Sequence, residues 1–512
     1  MTIDIGLRLA RGRAAQNRNL IGEAAAPRVR LAWPWLIAGL AVCAVMLGLR
    51  WALPFNVDVS WWLIVGERVF DGQRLYLDIL ETNPPMAGSI YFLGVALARA
   101  TGLRPEAVTI ALMLALMTAS LGLTWWLLRD SKLPGRPAAG ALAVWAVALL
   151  GILPMYDFGQ REHLALLFLM PALAVLIRRA GNEPVSTVAI VIAGVSAAVT
   201  MSFKPYFALG VGAAILAATL QARQWRILVA PENWIAGVLV VAYAAWIYVS
   251  FPAYFTLIYP VVRDVYLLLA APWLALALSG ATMLWLAAVF AVLLLQRRHK
   301  PDAAVTVLLA TSFGFAVAFF VQRKGWGYHA YPMVALSLMA LGYAVAVVDP
   351  ATARVRIAAS LAAVAILASA CVWFNASVDI RKLEAAVAKL GPHPKIMLLG
   401  GAATIAHPLV RDVGGIWVSR QEAFLIREIV RRARQEQSFD AVTSARLDRH
   451  VATERDGLVA DFRASSPDVV LVDNRDSDWG AWAQADPELA QLLKPYALVQ
   501  TIDGIDILTR MP

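Results

Sequence analysis

Charged residues are scarce in this sequence. They make up 16% of the 512 residues, against 60% hydrophobic residues, whereas soluble domains have about 25% charged and about 45–50% apolar residues. This balance excludes a soluble protein with one large buried core. Several apolar runs instead reach the roughly 20 residues that cross about 30 Å of hydrocarbon. The sequence therefore predicts a polytopic α-helical membrane protein whose main solvent is the lipid bilayer.

Cysteine is almost absent. Cys43 and Cys371 lie in separate apolar runs far apart in the sequence, which excludes a disulfide framework and a cysteine-based zinc site. The apolar run over 31–53 is longer than the hydrophobic region of a signal peptide and has no obvious small-residue cleavage site. We interpret it as a retained first span.

The formal net charge is +10, and the positions of the basic residues explain it. They are concentrated in alternate short loops, as the positive-inside rule requires of cytoplasmic loops. This distribution indicates topology, so no nucleic-acid partner is expected. It places the N-terminus, including a basic tail over 1–32 predicted to be disordered, in the cytoplasm. The basic residues of these loops are Arg8, Arg11, Arg13, Arg18, Arg28, Arg30, Arg129, Lys132, Arg136, Arg178, Arg179, Arg223, Arg226, Arg297, Arg298, Lys300, Arg354 and Arg356.

Hydropathy predicts about eleven transmembrane helices within a membrane domain over 33–374. An odd number places the two termini on opposite sides, so residues 375–512 are expected in the periplasm of a bacterium, with the protein in the inner membrane. The predicted helices cover 33–53, 105–128, 138–155, 162–178, 185–202, 206–222, 234–250, 272–295, 303–321, 331–348 and 356–374.

Two regions do not fit simple spans or short loops. The first loop, 54–104, mixes polar and aromatic residues in amphipathic patterns such as 60–70, which predicts interfacial helices on the membrane surface. The segment 375–512 has the composition of a soluble domain. Apolar runs at 395–400, 468–473 and 505–509 predict buried strands, and a charged run over 421–437 predicts a helix. A small periplasmic α/β domain follows.

Two acidic residues of the first loop stand out. Asp58 follows the first span within a few residues, next to Trp61 and Trp62. It can act either as a catalytic carboxylate or as the N-cap of the helix that begins near Ser60. Glu81 precedes two prolines that favour an extended turn, which would hold its side chain in a defined orientation. For the prolines themselves, a plain structural turn is the favoured interpretation.

Cationic and aromatic side chains occupy the later loops on the same predicted side. Lys204 lies between two closely spaced spans, where an ionisable group indicates a functional site unless it only snorkels to the interface. The loop 322–329 contains Arg323 and Lys324, which run against the positive-inside rule and favour an anionic ligand such as phosphate. Trp326 and Tyr328 alone would form an ordinary aromatic belt. The further polar or aromatic candidates are His329, Asp157, Arg161, Glu162, Tyr254, Tyr259, Arg263 and Asp264.

Together these residues resemble a known family. Asp58 after the first helix, the surface loop 72–78, the segment 81–86 and Lys204 followed by Pro205 are similar to the GT-C superfamily of membrane glycosyltransferases. Within this superfamily, the pattern is most similar to that of the lipid A aminoarabinose transferases and the protein mannosyltransferases. The resemblance covers about 33–374 in topology. Val59 stands where mannosyltransferases have a second acid, which argues against protein mannosylation.

The resemblance implies a polyprenyl-phosphate-linked sugar as donor and a periplasmic glycan, lipid or protein as acceptor. It implies that Asp58 acts as base, with Asp157 as a second acidic residue and Lys204 as the phosphate-binding lysine. Glu81 is our third catalytic candidate. We add Arg323, Lys324 and His329 as candidates for the donor phosphate. The candidates for substrate binding are Tyr254, Tyr259, Arg263, Trp326 and Tyr328.

These roles predict an inverting transfer, because direct displacement by the acceptor hydroxyl needs one carboxylate base and cations for the departing phosphate. The scheme requires no cofactor and no metal; a divalent ion held by Asp58 and Asp157 is an alternative that the sequence does not predict. A polymerase or ligase of lipid-linked glycans is the second hypothesis. A transporter or flippase is the third, although the ionisable residues cluster on one face and the halves show no repeat.

Overall fold

The computed structural model describes residues 33–133, 138–297, 302–348 and 352–511. The basic tail over 1–32, together with Arg136, Arg298 and Lys300, lies outside these ranges. All eleven apolar segments predicted as spans form helices. Within the described ranges, eight helices are long and apolar enough to cross a membrane, and three shorter apolar helices accompany them over Ala139–Ile152, Thr187–Phe203 and Gly280–Gln296. The protein is therefore a multi-pass membrane protein.

The helices of the membrane domain are numbered in chain order. The chain also forms helices outside the predicted spans, in the first loop and over Tyr259–Asp264, and the predicted span 272–295 is divided into two helices, Trp273–Ala277 and Gly280–Gln296. The fifteen helices are α1 Trp33–Ala52, α2 Val57–Phe70, α3 Ser89–Thr101, α4 Pro105–Leu128, α5 Ala139–Val147, α6 Arg161–Ala180, α7 Thr187–Phe203, α8 Ala208–Ala222, α9 Pro231–Ser250, α10 Tyr259–Asp264, α11 Trp273–Ala277, α12 Gly280–Gln296, α13 Ala303–Gln322, α14 Tyr331–Val347 and α15 Ala353–Phe374.

Helices α6 and α14 form the centre of the bundle. Most of their residues are buried, whereas α1 and α15 are largely exposed and form its outer surface. Helices α8 and α13 approach each other closely at Gly314. A Cβ atom added at this glycine would collide with the backbone oxygen of Leu209. Small residues permit such close backbone contact between membrane helices. The buried helices α6 and α14 therefore fix the positions of the polar groups at their ends.

The soluble domain is a small α/β domain, as predicted. Its sheet has the strand order β2-β1-β3-β5-β4, in which β2, β1 and β3 are parallel and β5 and β4 form an antiparallel hairpin. The hairpin turns at Asp503 and Gly504, both with positive φ, as a type I′ turn requires. The strands are β1 Lys395–Leu399, β2 Ile416–Trp417, β3 Val469–Asp473, β4 Tyr496–Ile502 and β5 Ile505–Arg510.

Helices surround this sheet. The predicted charged helix over 421–437 begins later than expected, at Leu425, and residues 418–424 form an irregular connection before it. The 25-residue helix over Ala441–Ser465 was not predicted. The helices of the soluble domain are α16 Arg381–Val387, α17 His407–Asp412, α18 Leu425–Glu436, α19 Ala441–Ser465, α20 Trp479–Ala485 and α21 Pro487–Leu493.

The first loop forms two helices, α2 and α3, and their position at the membrane surface stays a prediction. Residues 59–66 of α2 are buried, because α17 of the soluble domain packs on this helix. Two further contacts join the loop to the domain: the Leu80 amide donates to the Arg420 carbonyl at 2.7 Å, and the Arg68 guanidinium donates to the Ser419 carbonyl at 2.5 Å. The soluble domain therefore docks on the first loop.

Arg411 on α17 makes the main ionic contact between the two domains. It pairs with Glu67 of α2 at 2.6 Å and with Glu106 of α4, and its side chain is only 11% exposed. A hydrogen-bond contact between Asp264 and His450 Nε2 of α19, at 3.1 Å, also joins the two domains. A buried cation between two carboxylates fixes orientation, because any displacement would leave charges unpaired.

We predict that Arg411→Ala loosens the docking of the soluble domain. Removing the cation leaves Glu67 and Glu106 facing each other in a poorly solvated contact, which should cost about 3 kcal/mol. The thermal unfolding midpoint in detergent should fall by several degrees. The matched control is Arg434→Ala, which breaks an exposed pair with Asp448 and should cost less than about 1 kcal/mol. Equal effects of the two substitutions would contradict this role.

Candidate active site

Polar side chains converge at the end of the bundle that carries the soluble domain. The elements that supply them are the start of α2, the turns before α6 and α14, the α7–α8 connection and the first loop. Gly159 in the turn before α6 has a positive φ of 90°, and its carbonyl accepts a hydrogen bond from the Tyr91 hydroxyl at 2.6 Å. This turn directs the first residues of α6 toward the other elements.

Asp58 and Arg161 form the central ion pair. A guanidinium nitrogen of Arg161 lies 2.7 Å from Asp58 Oδ2, and the Arg161 and Asp58 side chains are 6% and 19% exposed. Arg161 also donates to Asn83 in the first loop. Asp58 is not the N-cap of α2: that position belongs to Asn56, whose side chain accepts from the Asp58 amide at 2.9 Å. The Asp58 carboxylate therefore pairs with Arg161 and does not cap the helix.

Glu81 supports this pair from the first loop. Its buried carboxylate accepts from the Trp61 indole at 2.5 Å and from the backbone and side chain of Asn83 at 2.7 and 2.6 Å. Burial raises the pKa of Glu81, and the bonds from Asn83 and the charge of Arg161 oppose that shift. These contacts indicate that Glu81 orients Asn83, which in turn contacts Arg161.

Asp157 is linked to Asp58 through a third side chain. Its carboxylate accepts from the Asn56 side chain at 3.2 Å, and Asn56 in turn accepts from Gln160 at 2.5 Å. Burial raises the pKa of Asp157 well above its usual range, and the charges of Glu162 and Asp58 add to the shift. Asn56 therefore connects Asp157 to Asp58, and Asp157 is a supporting group of the site.

Lys204 belongs to a second charged cluster beside the first. Its ammonium donates to Glu162 of α6 and lies 3.0 Å from His329 Nε2. An ammonium only donates, so His329 Nε2 accepts and the ring proton resides on Nδ1. That buried Nδ1 has no hydrogen-bond partner among the described residues, nor has Oε2 of Glu162. A third donor of the ammonium is also unused, so two donors remain for a ligand.

Aromatic side chains line this second cluster. Tyr328 contacts His329 edge to face at a centroid distance of 4.6 Å, and Trp326 lies 5.4 Å from the same ring. The Lys204 ammonium lies 5.5 Å from the centre of the Tyr328 ring. Tyr254 packs on Tyr76 of the first loop at a centroid distance of 5.1 Å. The structure thus brings Trp326, Tyr328 and His329 to Lys204.

Four sequence candidates make other contacts. The Arg323 guanidinium donates to the Ala271 carbonyl and covers the Trp273 ring. Lys324 donates to the carbonyls of Tyr266 and Leu269, and burial lowers its pKa to about 8. Arg263 pairs with the adjacent Asp264 and is half exposed, and Tyr259 is 49% exposed. The first two side chains hold the loop 266–273, which leaves Lys204 and His329 as the geometric candidates for phosphate.

Arg161 and Glu162 are sequence candidates to which no role could be assigned before the structure. A signal was present, because charged residues in the first turn of an apolar helix are costly unless they are paired. Among the described residues, no group of three or more His, Cys, Asp and Glu side chains is arranged to hold a metal ion. Metal independence remains a prediction.

No protein-family model and no curated protein sequence match this chain, but solved structures do. The apo structure of ArnT from Cupriavidus metallidurans matches with a TM-score of 0.57 at 13% identity. The structure of the same protein bound to undecaprenyl phosphate matches with a TM-score of 0.55 at 15% identity. Each match covers 93% of this chain and 98% of ArnT.

The chain has the GT-C fold. The coverage extends beyond the membrane bundle into the soluble domain, so the similarity concerns the complete domain arrangement. At this level of identity the likeness establishes the fold and leaves the roles of individual residues to their geometry. The GT-C architecture that the sequence predicted is confirmed.

We predict strong coupling between Lys204 and Glu162. The Glu162 side chain is fully buried and that of Lys204 is 12% exposed, so Lys204→Met leaves an uncompensated buried carboxylate and should cost about 3–5 kcal/mol. The double variant Lys204→Met/Glu162→Gln should recover much of this loss. The measurement is a double-mutant cycle of thermal unfolding in detergent.

Arg74→Met is the control for this cycle, because it breaks the exposed Arg74–Asp78 pair and should cost less than about 1 kcal/mol. Simple additivity of the Lys204 and Glu162 substitutions would show that the two charges do not depend on each other.

Proposed function

We propose that this protein is an inverting glycosyltransferase. It would take a sugar from a polyprenyl-phosphate donor and attach it to a hydroxyl group of a glycan, lipid or protein acceptor. The observation that carries the proposal is the juxtaposition of an ion-paired carboxylate, Asp58, with a cluster of unused donors on Lys204 and His329. A GT-C relative, ArnT of Cupriavidus metallidurans, has been solved with undecaprenyl phosphate bound, which supports a lipid phosphate as the ligand.

Lys204 and His329 would bind the phosphate of the donor. Lys204 contacts Glu162 of α6 and His329 in the turn before α14, and its spare ammonium donor and the His329 Nδ1 proton would bind the phosphate oxygens. The low dielectric of this position strengthens their interaction with an anion. The same contacts strengthen as the leaving phosphate gains charge, so they favour the transition state over the bound donor.

Asp58 would act as the base. The acceptor oxygen attacks the anomeric carbon while the bond from that carbon to the phosphate oxygen breaks, and Asp58 takes the hydroxyl proton. Polyprenyl phosphate departs with the bonding electron pair. Because the attack comes from the side opposite the leaving group, the anomeric configuration inverts. Arg161 fixes the carboxylate so that one oxygen faces the acceptor, and Asn83 and Glu81 hold Arg161 in place.

We place the protein in a bacterial inner membrane with the soluble domain on the periplasmic side. The positive-inside distribution of the basic loops supports this orientation, and periplasmic transfer is consistent with a lipid-linked donor that needs no nucleotide. The scheme requires no cofactor. The acceptor would reach Asp58 from beneath the soluble domain, which covers the first loop.

We predict that Asp58→Asn abolishes transfer while leaving donor binding intact. Loss of a general base should lower kcat by about 10²–10⁴-fold, with the KM for the donor little changed. The assay incubates purified protein with radiolabelled polyprenyl-phosphate monosaccharides and a crude membrane acceptor fraction. Asp71→Asn is the control, because Asp71 lies on the same loop in an exposed pair with Arg99 and should not alter the rate.

Two outcomes would contradict the proposal. No transfer from any monophosphate donor, with transfer from a diphosphate-linked oligosaccharide, would identify a polymerase or ligase. Movement of lipid-linked substrate across vesicles without a covalent product would identify a transporter.

A further inference from the structure

The soluble domain extends one carboxylate toward the active site. Glu422 lies in the segment 418–424, which joins β2 to α18. The Leu80 amide donates to the Arg420 carbonyl, and a parallel bridge pairs Leu80 with Gln421. At the other end, the Phe424 amide donates to the Gly400 carbonyl at 3.0 Å. The segment is therefore fixed on one side by the first loop and on the other by the sheet.

His407 holds the backbone of Glu422 directly. Its ring Nε2 lies 2.7 Å from the Glu422 carbonyl, and the ring is completely buried. It packs on Trp61 at 4.9 Å and on Trp417 at 4.7 Å. Trp61 is also the donor to Glu81, so the packed rings of Trp61 and His407 hold the Glu81 carboxylate of the membrane domain and the Glu422 backbone of the soluble domain.

The side chain of Glu422, in contrast, is not used by the fold. It is partly exposed, and its carboxylate has no hydrogen bond within the part of the chain that the structure describes. Burial raises the pKa of Glu422 well above its usual range, the charges of Asp58 and Glu81 add to the shift, and Arg161 opposes it. A carboxyl group held by its backbone but left without a partner is available to a ligand.

The contacts of Glu422 also define which part of the site it lies beside. His407 holds its carbonyl and packs on Trp61, the donor to Glu81. Glu422 therefore lies on the side of the central ion pair that Glu81 supports. If the donor phosphate binds at Lys204, the group that approaches Asp58 next to Glu422 is the acceptor.

We infer that Glu422 is an acceptor-binding residue, which accepts a hydrogen bond from an acceptor hydroxyl group next to the one that Asp58 activates. The inference rests on the proposed glycosyltransferase function and deepens it, since it makes the soluble domain part of the site. A carboxyl group accepts from hydroxyl groups whether it is ionised or protonated. Three carboxyl groups beside one guanidinium also leave little cationic charge for an acidic group at this position, so the acceptor region that meets Glu422 is a hydroxyl-rich, uncharged one.

The test compares Glu422→Ala, Glu422→Gln and Glu422→Asp in full-length protein, using the same labelled donors and crude membrane acceptor fraction. Glu422→Ala should raise the apparent KM for the acceptor by about ten- to a hundredfold, as expected for loss of a hydrogen bond to a carboxyl group. The KM for the donor and the thermal unfolding midpoint should stay at wild-type values. Glu422→Gln retains an acceptor oxygen and should show a smaller rise.

Glu436→Gln is the matched control, since Glu436 is an exposed glutamate at the end of α18 and should leave both KM values unchanged. Binding of undecaprenyl phosphate, measured as a thermal shift, should be retained in every Glu422 variant and lost in Lys204→Met/Glu162→Gln.

The outcomes separate this inference from the proposed function. If wild-type protein transfers sugar and Glu422→Ala keeps the wild-type KM for the acceptor, the inference is wrong and the function stands. If Glu422→Ala raises both KM values equally and lowers the unfolding midpoint, Glu422 is a structural residue and the inference is also wrong. If wild-type protein transfers no sugar from any donor, the proposed function itself fails.

Discussion

Charged groups at the first turn of a buried helix must be paired, and in this protein that requirement organises the site. Arg161 and Glu162 begin α6, the most enclosed of the membrane helices. They are adjacent in sequence and carry opposite charges, so each needs its own partner, and the partners come from different elements. Asp58 arrives from the start of α2, and Lys204 arrives from the α7–α8 connection. Removing any one of the four charges leaves a buried charge uncompensated.

The same pairing places two chemical functions side by side. The Asp58–Arg161 pair presents a carboxylate with its orientation fixed, while the Lys204–Glu162 pair presents an ammonium with a spare donor next to His329. A displacement at an anomeric carbon needs both, a base on one side and a cation on the other. The soluble domain then covers the base side through contacts to the first loop, which brings Glu422 close to Asp58.

Much of the fold could be predicted because the hydrophobic effect leaves a direct record in the sequence. Every apolar run of the membrane domain became a helix, and the runs at 395–400, 468–473 and 505–509 became β1, β3 and β5. Strand β4 was missed because its side chains are largely exposed, and β2 because it has only two residues. Helix α19 was missed because its few buried apolar residues are spread along 25 positions among charged ones.

The site was harder to predict than the fold, because its contacts join residues that are far apart in the chain. Asp58, Lys204 and His329 could be proposed since ionisable groups near membrane spans are conspicuous. The pairing of Arg161 with Asp58 spans 103 positions, and no local pattern announces it. Glu422 resembles any other charged residue of a soluble segment. Only the docking of residues 418–424 on the first loop reveals its place.

The central claim is that Lys204 and His329 form the phosphate site of a lipid carrier, and one structure would test it most directly. The measurement is cryo-electron microscopy of the protein in nanodiscs containing undecaprenyl phosphate. We expect phosphate density within hydrogen-bond distance of Lys204 Nζ and His329 Nδ1, with one phosphate oxygen facing Asp58. Phosphate density at Arg323 or Arg263, with the Lys204 cluster unchanged, would contradict it.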